Sequence, residues 1–311
     1  MLFFLGKIKY NVIGDEMDGF FLVNKPAGMT SHDVVKEVKK RFHIEKIGHT
    51  GTLDPFATGL LVLCVGQATK LSDMITNDDK SYEGEILFGV HTDTYDITGT
   101  VTDQMEATDI NQSQIEDQMA SFIGSYQQRP PMYSAIKKDG IKAYKAARKG
   151  QHIQLDKRLV HIYRFEAKGL YKEQKIAFFS KVSKGTYIRS LVVDLAQRLN
   201  TLAVLSQLHR VSIGSLSVSK ASDLNTLKPT DLMDLKTYLK TYQSLTLSDY
   251  LIHLVKNGVY LDQRQIKTEQ PFVVYDQKGH MIAFYEVIES YRYKPVLIFK
   301  ERLHESHSSN I

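Results

Sequence analysis

The stretch Gly48-His49-Thr50-Gly51-Thr52-Leu53-Asp54-Pro55-Phe56-Ala57-Thr58-Gly59 constrains this chain more than any other. Three glycines within twelve residues permit a tightly folded loop and the close approach of a ligand backbone, so the insert from Ile47 to Gly59 reads as irregular. Regular structure bounds it on both sides. Upstream, Thr30 to Asp33 has the form of a helix start, a capping hydroxyl with an acid three residues on. Val34, Val35, Val38 and Phe42 then recur at helical spacing. Downstream, Leu60 to Val65 is strand-like. Gly19 to Asn24 reads as a short buried strand stopped by Lys25-Pro26, because proline ends sheet pairing.

Farther along, Ser81 to Val90 alternates as a strand does, with Tyr82, Ile86, Phe88 and Val90 on one face. Ile115, Met119 and Phe122 mark a helix ending at Gly124. Lys175 to Val182 places Ile176, Phe178 and Val182 on one side of a strand. It leads through the turn Ser183 to Thr186 into a helix with Leu191, Leu195 and Leu199 on one side. Strands and helices are mixed rather than strictly alternating, which predicts an α+β fold with a mixed or antiparallel sheet. Near Thr226 the composition shifts. Leu227 to Ser248 reads as helical and polar, and short strands follow at Pro271 to Tyr275, Met281 to Val287 and Val296 to Lys300, with Gly279 supplying a hairpin turn. The expected organisation is a leader over 1–18 (Met17 is a candidate start), a main domain over 19–240 and a small β-rich module over 245–311. The run from His304 to Ile311 reads as a frayed tail.

With 42% hydrophobic and 24% charged residues, the chain is neither disordered nor collagen-like. The longest apolar run lies between Gly59 and Gly66, short of the roughly 18–20 residues of a membrane span, so no membrane partner is expected. Met1 to Leu5 lacks a cleavage site and is not a secretory signal. Cys64 is the single cysteine, which excludes an internal disulfide and a cysteine-built zinc site, and the expected home is a reducing cytoplasm. The eleven histidines show no metal spacing, and His32, His43 and His49 read as polar surface or RNA-contacting groups. Net charge is +5, and its distribution says more. Lys137, Lys138, Lys142, Lys145, Arg148 and Lys149 face one acid, Asp139, with Tyr133 and Tyr144 beside them. Cations interleaved with aromatic rings suit an RNA groove, and a solvated helix face is the plain alternative.

Asp54 precedes a proline, which biases it to an extended conformation and fixes where its carboxylate points. A carboxylate on such a loop serves as nucleophile, general base or metal ligand, or simply caps a turn. The wording of the segment decides between these. GHTGTLDPFATGLL closely resembles the catalytic motif of the TruB-type tRNA pseudouridine synthases. The resemblance runs from about Phe20 to Ser219 through separated motifs in the family's order. Asn24 to His32 resembles its KPxGxTS opening, Asp79 to Glu83 its KxY motif, Gln128 to Gly150 its tRNA-facing segment, and Lys184 to Leu191, with Asp194, its GTYIR motif.

The resemblance implies a pseudouridine synthase catalytic domain followed by a PUA-like RNA-binding module. It implies isomerisation of uridine to pseudouridine at position 55, in the T loop of tRNA. Asp54 takes the place of the family's nucleophilic aspartate, and Arg189 that of the arginine paired with it. Tyr82 matches the tyrosine that stacks on the target base and is a candidate for removing the carbon-5 proton. Its alternation with Ile86 and Phe88 suits a core tyrosine equally well. His49 matches the histidine that wedges into the T loop, and Asp96 a further acid near the site. Lys25, Lys137 and Tyr187 are carried over with their motifs as substrate-binding positions. The family's reaction needs no redox step or activated donor, so neither cofactor nor metal is expected, and the family acts as a monomer without an obligate protein partner.

Two segments depart from the pattern: Asn200-Thr201-Leu202-Ala203 replaces a glycine-rich stretch, and Leu208-His209-Arg210 replaces Leu-Arg-Arg. Two rival functions share these residues. A nucleic-acid glycosidase would pair Asp54 with Asp194 or Asp96 across the bond. A non-catalytic tRNA-folding factor would use the groove and wedge alone.

Overall fold

The computed structural model describes residues 17–299 apart from 107–108, 135, 139, 148–149, 151–152 and 154. The expected frayed tail and residues 1–16 of the expected leader therefore lie outside the described residues. Met17 and Asp18, also assigned to the leader, belong to the folded body. Met17 is buried, and the Asp18 carboxylate accepts from the backbone and side-chain amides of Gln67 at 2.6 and 2.8 Å.

A mixed sheet organises the main body. Strand β1 (Gly19–Lys25) pairs antiparallel with β3 (Thr58–Val65), and between them run helix α1 (Ser31–Phe42) and the short strand β2 (Ile47–His49). The sheet continues through β8 (Ala203–Ile213), β4 (Lys80–Phe88), β7 (Lys175–Val182), β6 (Arg158–Ala167) and β5 (Gly124–Gln128). Parallel pairing occurs between β1 and Ser222–Asp223 and between β3 and β8; the other pairs are antiparallel. This is the expected α+β class with a mixed sheet.

Leu60 to Val65 is apolar without interruption because β3 is covered on both faces. Leu61, Leu63 and Val65 pack toward α1 with Val34, Val38, Phe21 and Val23. Leu60, Val62 and Cys64 face the other way, into a buried cluster that holds Leu71, Ile75, Leu235 and Leu239 together with Val273, Phe284 and Leu297 of a second sheet. Cys64 is thus an enclosed thiol, pushed up to about 12 by burial. On the far half of the main sheet, Ile86, Phe88, Ile176 and Phe178 pack against helix α2 (Gln112–Ala120) and helix α3 (Ile188–Arg198).

Helix α1 starts where the sequence predicts. The Thr30 hydroxyl accepts from the Asp33 amide at 3.1 Å while the Asp33 carboxylate accepts from the Thr30 amide at 3.1 Å. It ends at His43, in the left-handed conformation.

Several boundaries differ from the sequence reading. Ile47–His49 is a strand, not loop, because it borders the far edge of β3 and pairs with Leu63 to Val65. The helix carrying Ile115 and Met119 ends at Ala120, and Gly124 opens β5 instead of closing that helix. Val90 leaves the face of Tyr82: β4 stops at Phe88, and Val90–Thr92 pairs with Val101–Gln104 in a separate ribbon. The expected helix over Leu227 to Ser248 reduces to Leu235–Leu239, capped by Asp234. Pro229 opens a separate 3₁₀ turn ahead of it, and Gln243–Thr246 is drawn into parallel pairing with Phe272–Tyr275.

The second sheet runs in the order Gln243–Thr246, Phe272–Tyr275, Met281–Glu289, Arg292–Ile298, Leu261–Asp262. Its curled, β-rich form is that expected of a PUA-like module, and Gly279 does turn its hairpin at φ 80°. Its last strand begins at Arg292, four residues before the predicted Val296. Pro295 is tolerated there because Leu261–Asp262 pairs only with Tyr293 and Arg292, leaving that side open at the proline.

The parallel contact of β3 with β8 consists of Thr58 with His209 and Gly59 with Arg210. Gly59 sits at φ 99°, and a Cβ there would lie 2.4 Å from the Arg210 carbonyl oxygen. Gly59→Ala combines a disallowed φ with overpacking. We expect a loss of about 2–4 kcal/mol in unfolding free energy, read by denaturant titration; an unchanged midpoint would refute this account of the seam.

Candidate active site

The loop between β2 and β3 is held from several sides. The Ser31 hydroxyl accepts from the Leu53 amide at 2.8 Å, and the Thr50 amide donates to the Val62 carbonyl at 3.0 Å. The Pro55 carbonyl accepts from the Gly28 amide at 2.8 Å and from Lys25 Nζ at 3.2 Å. Arg210 Nη2 donates to the Gly51 carbonyl at 3.1 Å. Leu53 and Ala57 face into the core beside Tyr82 and Leu191. With its neighbours fixed in this way, the Asp54 side chain has one direction left, toward the start of α3.

Arg189, the second residue of α3, meets it. Nη2 donates to Asp54 Oδ1 at 2.9 Å and Nε lies 2.8 Å from Oδ2, so both carboxylate oxygens face one guanidinium. The same guanidinium donates to the Thr94 carbonyl at 2.8 Å and to the Tyr133 carbonyl at 3.0 Å. The Asp54 side chain is 31% exposed and that of Arg189 4%. The carboxylate is therefore the reachable end of the pair, and the cation is its buried base. Burial pushes the Asp54 carboxyl above its ordinary value, Asp96 adds to the rise, and Arg189 opposes it.

Asp96 is brought to the same guanidinium, 3.8 Å from Nη1, but is itself buried. Its Oδ1 accepts from the Thr94 hydroxyl at 2.9 Å and from the Thr98 amide and hydroxyl at 3.0 and 2.6 Å. These bonds fix the turn that aims the Thr94 carbonyl at Arg189. Asp96 thus supports the arginine from behind and is not itself presented to the pocket. Lys25 departs from expectation. It is fully buried, and Nζ donates to the carbonyls of Pro26, Met29 and Pro55 at 2.8, 2.7 and 3.2 Å. All three ammonium protons are spent on backbone, so Lys25 braces the loop and has no donor to offer a substrate.

Tyr82 lies buried on β4, directly opposite Arg210 of β8. His49 closes β2, half-buried, with Nδ1 enclosed and lacking a hydrogen-bond partner. Burial, followed by the Arg210 and His32 charges, holds its imidazole below the ordinary value. Tyr187 precedes α3. Its amide donates to Gln128 Oε1 at 2.8 Å, and its carbonyl accepts from Gln128 Nε2 at 3.0 Å. Burial raises its phenol, whose surroundings include Ser134, Arg189 and Asp54. Tyr187 therefore lies against the Asp54–Arg189 pair. The backbone of Lys137 pairs with Lys142 in a two-stranded hairpin. The side chains of both, with Arg148 and Lys149, lie outside the described residues.

The model for the N-terminal domain of TruB family pseudouridylate synthases matches residues 39–188. The tRNA pseudouridine synthase B of Onion yellows phytoplasma (strain OY-M) is 47% identical over 284 residues, spanning 91% of this chain and 100% of its own length. That of Acholeplasma laidlawii (strain PG-8A) is 44% identical over 283 residues, with the same two shares. The chain belongs to the TruB family of pseudouridylate synthases. Two solved structures share its fold: an H/ACA RNP bound to a substrate RNA containing 2′-deoxyuridine (20% identity, TM-score 0.67, 91% of this chain and 86% of that one) and a Cbf5–Nop10–Gar1 complex (21%, 0.66, 91% and 84%).

Sequence reasoning missed two cations of this TruB-family site. Arg210 is fully buried, donating from Nε to the Leu60 carbonyl at 2.8 Å, with burial lowering its pKa and the Tyr82 hydroxyl and Asp54 opposing. Lys80 is buried too, and lowered to about 8 by burial and then by Arg210. The available signal was spacing: Lys80 stands two residues before Tyr82 and so shares its face of β4.

Burial lowers Lys25 to about 8 against the Asp54 charge, with Arg210 adding, from 10.5 in the unfolded chain. Between pH 8 and 10.5 the unfolded state therefore binds more protons, and this group's contribution to stability rises with pH through that window. Lys25→Met removes the term. Denaturant titrations across the window should show wild type gaining on the variant as pH rises, and a constant gap would show that the ammonium carries no burial penalty.

Proposed function

We propose that this chain isomerises the uridine at position 55, in the T loop of tRNA, to pseudouridine, with Asp54 as the reacting carboxylate. The observation that carries the reading is the Asp54–Arg189 pair. A reachable carboxylate is gripped at both oxygens by a buried guanidinium, inside the motif that places the chain in its family. Its closest chemical requirement is an anion at the sugar and base, and the Arg189 charge favours the ionised form of Asp54 against the burial that opposes it. The reaction breaks the N1–C1′ bond and forms a C5–C1′ bond, while a proton leaves C5 and one is gained at N1. It balances without an outside donor or acceptor.

A T-loop base must be flipped out to reach Asp54, at a cost of roughly a few kcal/mol of unstacking. Tyr82 is read as the ring that stacks on the extruded base and as the candidate to take the C5 proton, its hydroxyl being held by Arg210. His49, half-buried and with its Nδ1 unpartnered, is read as the wedge that fills the vacated place. Tyr187 closes the pocket wall and helps to exclude water, which protects the detached uracil. Lys137, beside the half-exposed Lys138, is read as a phosphate contact. The second sheet, from about residue 245, is read as a PUA-like RNA-binding module, with Tyr250 of the helix Asp249–Lys256 and Tyr260 exposed beside it. The family resemblance supports a monomer acting in the cytoplasm. Asp194 accepts from the Tyr126 hydroxyl at 3.4 Å, and Asp96 is committed behind Arg189, so neither stands ready as a glycosidase's second carboxylate.

The test uses the purified protein and an unmodified tRNA transcript, with pseudouridine mapped along the RNA. Wild type should convert the T-loop uridine. Asp54→Asn should lose at least about a thousandfold in kcat while its tRNA affinity stays within a few fold. Tight binding without conversion by wild type would favour the folding factor, and release of free uracil the glycosidase.

Arg189→Gln removes the charge that opposes the rise in the Asp54 carboxyl. The acid limb of its rate–pH profile should therefore lie at higher pH than that of wild type. A variant slower by the same factor at every pH would show that Arg189 orients Asp54 without setting its ionisation.

A further inference from the structure

Helix α1 presents two unlike faces. Val34, Val35 and Val38 are buried toward the sheet, while His32, Lys36, Lys39, Lys40 and His43 are exposed. At about 100° per residue His32, Lys36, Lys39 and Lys40 fall within an arc of about 100°, forming one stripe roughly 12 Å long that His43 extends at the helix's end. Arg41 is tied off on the side by Glu37 at 2.8 Å and by the Leu224 carbonyl. Asp33, the acid beside Lys36, is engaged by the Thr30 cap. Among the described residues no carboxylate forms an ion pair with Lys36, Lys39 or Lys40. The three lysines and His43, with Ile44 and Glu45, line a shallow depression at the helix's far end.

The stripe begins at the candidate active site. Ser31 is bonded at both its hydroxyl's donor and acceptor sides to the Leu53 backbone, one residue before Asp54. His32, the first member of the stripe, is close enough to His49 for its charge to depress that imidazole. The face displays no large exposed hydrophobic side chain from His32 to Lys46. A protein partner would need an apolar centre there; a polyanion needs only the charges.

We propose that the exposed face of α1 is a phosphate track, which binds the backbone of the RNA stem carrying the target loop as that strand leaves the active site. This rests on the proposed function, and it assigns RNA contact to a helix outside the basic segment 137–149. Such contacts contribute uniform, salt-sensitive binding and leave the chemical step alone.

The experiment compares wild type, the triple variant Lys36→Gln/Lys39→Gln/Lys40→Gln, and a control with the same charge loss elsewhere, Lys172→Gln/Lys236→Gln/Lys240→Gln. Each is titrated with a T-arm stem–loop RNA over a series of salt concentrations and assayed for pseudouridine. The α1 variant should bind at least about tenfold more weakly at low salt. Its slope of log K against log salt should shrink by about 2–3, with the loss falling in KM rather than kcat. The control should stay near wild type. If wild type forms no pseudouridine, the proposed function itself fails. If all three proteins form it and the α1 variant matches the control in affinity and slope, the phosphate track is overturned.

Discussion

A carboxylate that must react has to be both ionised and reachable, and burial works against ionisation. Here one guanidinium resolves the conflict. Arg189 sits almost wholly inside the protein, satisfied by two backbone carbonyls, and extends its remaining capacity to Asp54 at the surface of the pocket. An unpaired arginine at that depth would be prohibitively costly, so Asp54, Asp96 and the two carbonyls are as necessary to Arg189 as it is to them. Much of the surrounding structure serves this arrangement: the Thr92 to Thr98 turn, the Tyr133 carbonyl and the start of α3.

The loop shows the same logic in a second layer. Lys25 and Arg210 are buried cations whose donors go to backbone carbonyls, those of Pro26, Met29 and Pro55 for one and of Gly51 and Leu60 for the other. A segment rich in glycine and threonine has little packing of its own to hold it. Charged side chains reaching in from β1 and β8 replace that packing with directional bonds. The site consequently gathers Lys25, Arg189 and Arg210 around Asp54, with Asp96 behind Arg189, a local excess of positive charge suited to receiving a polyanion.

Local signals were legible in the sequence where a residue's neighbours along the chain determine its state. The Thr30–Asp33 box, the doubly buried run of β3 and the alternation of Ile176, Phe178 and Val182 all follow from spacing. Asp54 and Arg189 were legible through their motifs, since they lie 135 residues apart and no period links them. What depended on tertiary pairing was not legible. Ile47–His49 becomes a strand only because β3 has a free edge, and Gln243–Thr246 because Phe272–Tyr275 does. Lys25 looked like a substrate contact because nothing near it in sequence reveals that Pro55 supplies the third carbonyl. Arg210 has no signal along the chain beyond its place in Leu208-His209-Arg210, and gains its burial from β4 and β3 closing on either side of it.

Strand β3 leaves the Asp54 loop at Thr58 and at once becomes common property of two hydrophobic interiors. Its even-numbered residues from Leu60 to Cys64 enter an interior shared with the second sheet and Leu235–Leu239, its odd-numbered ones the interior under α1. The second sheet therefore helps to close the interior behind the strand that follows the Asp54 loop. Shedding it would open that interior two residues beyond the loop's end. A lineage or an engineer seeking a minimal enzyme on this scaffold would have to recolour that face of β3 before the module became dispensable.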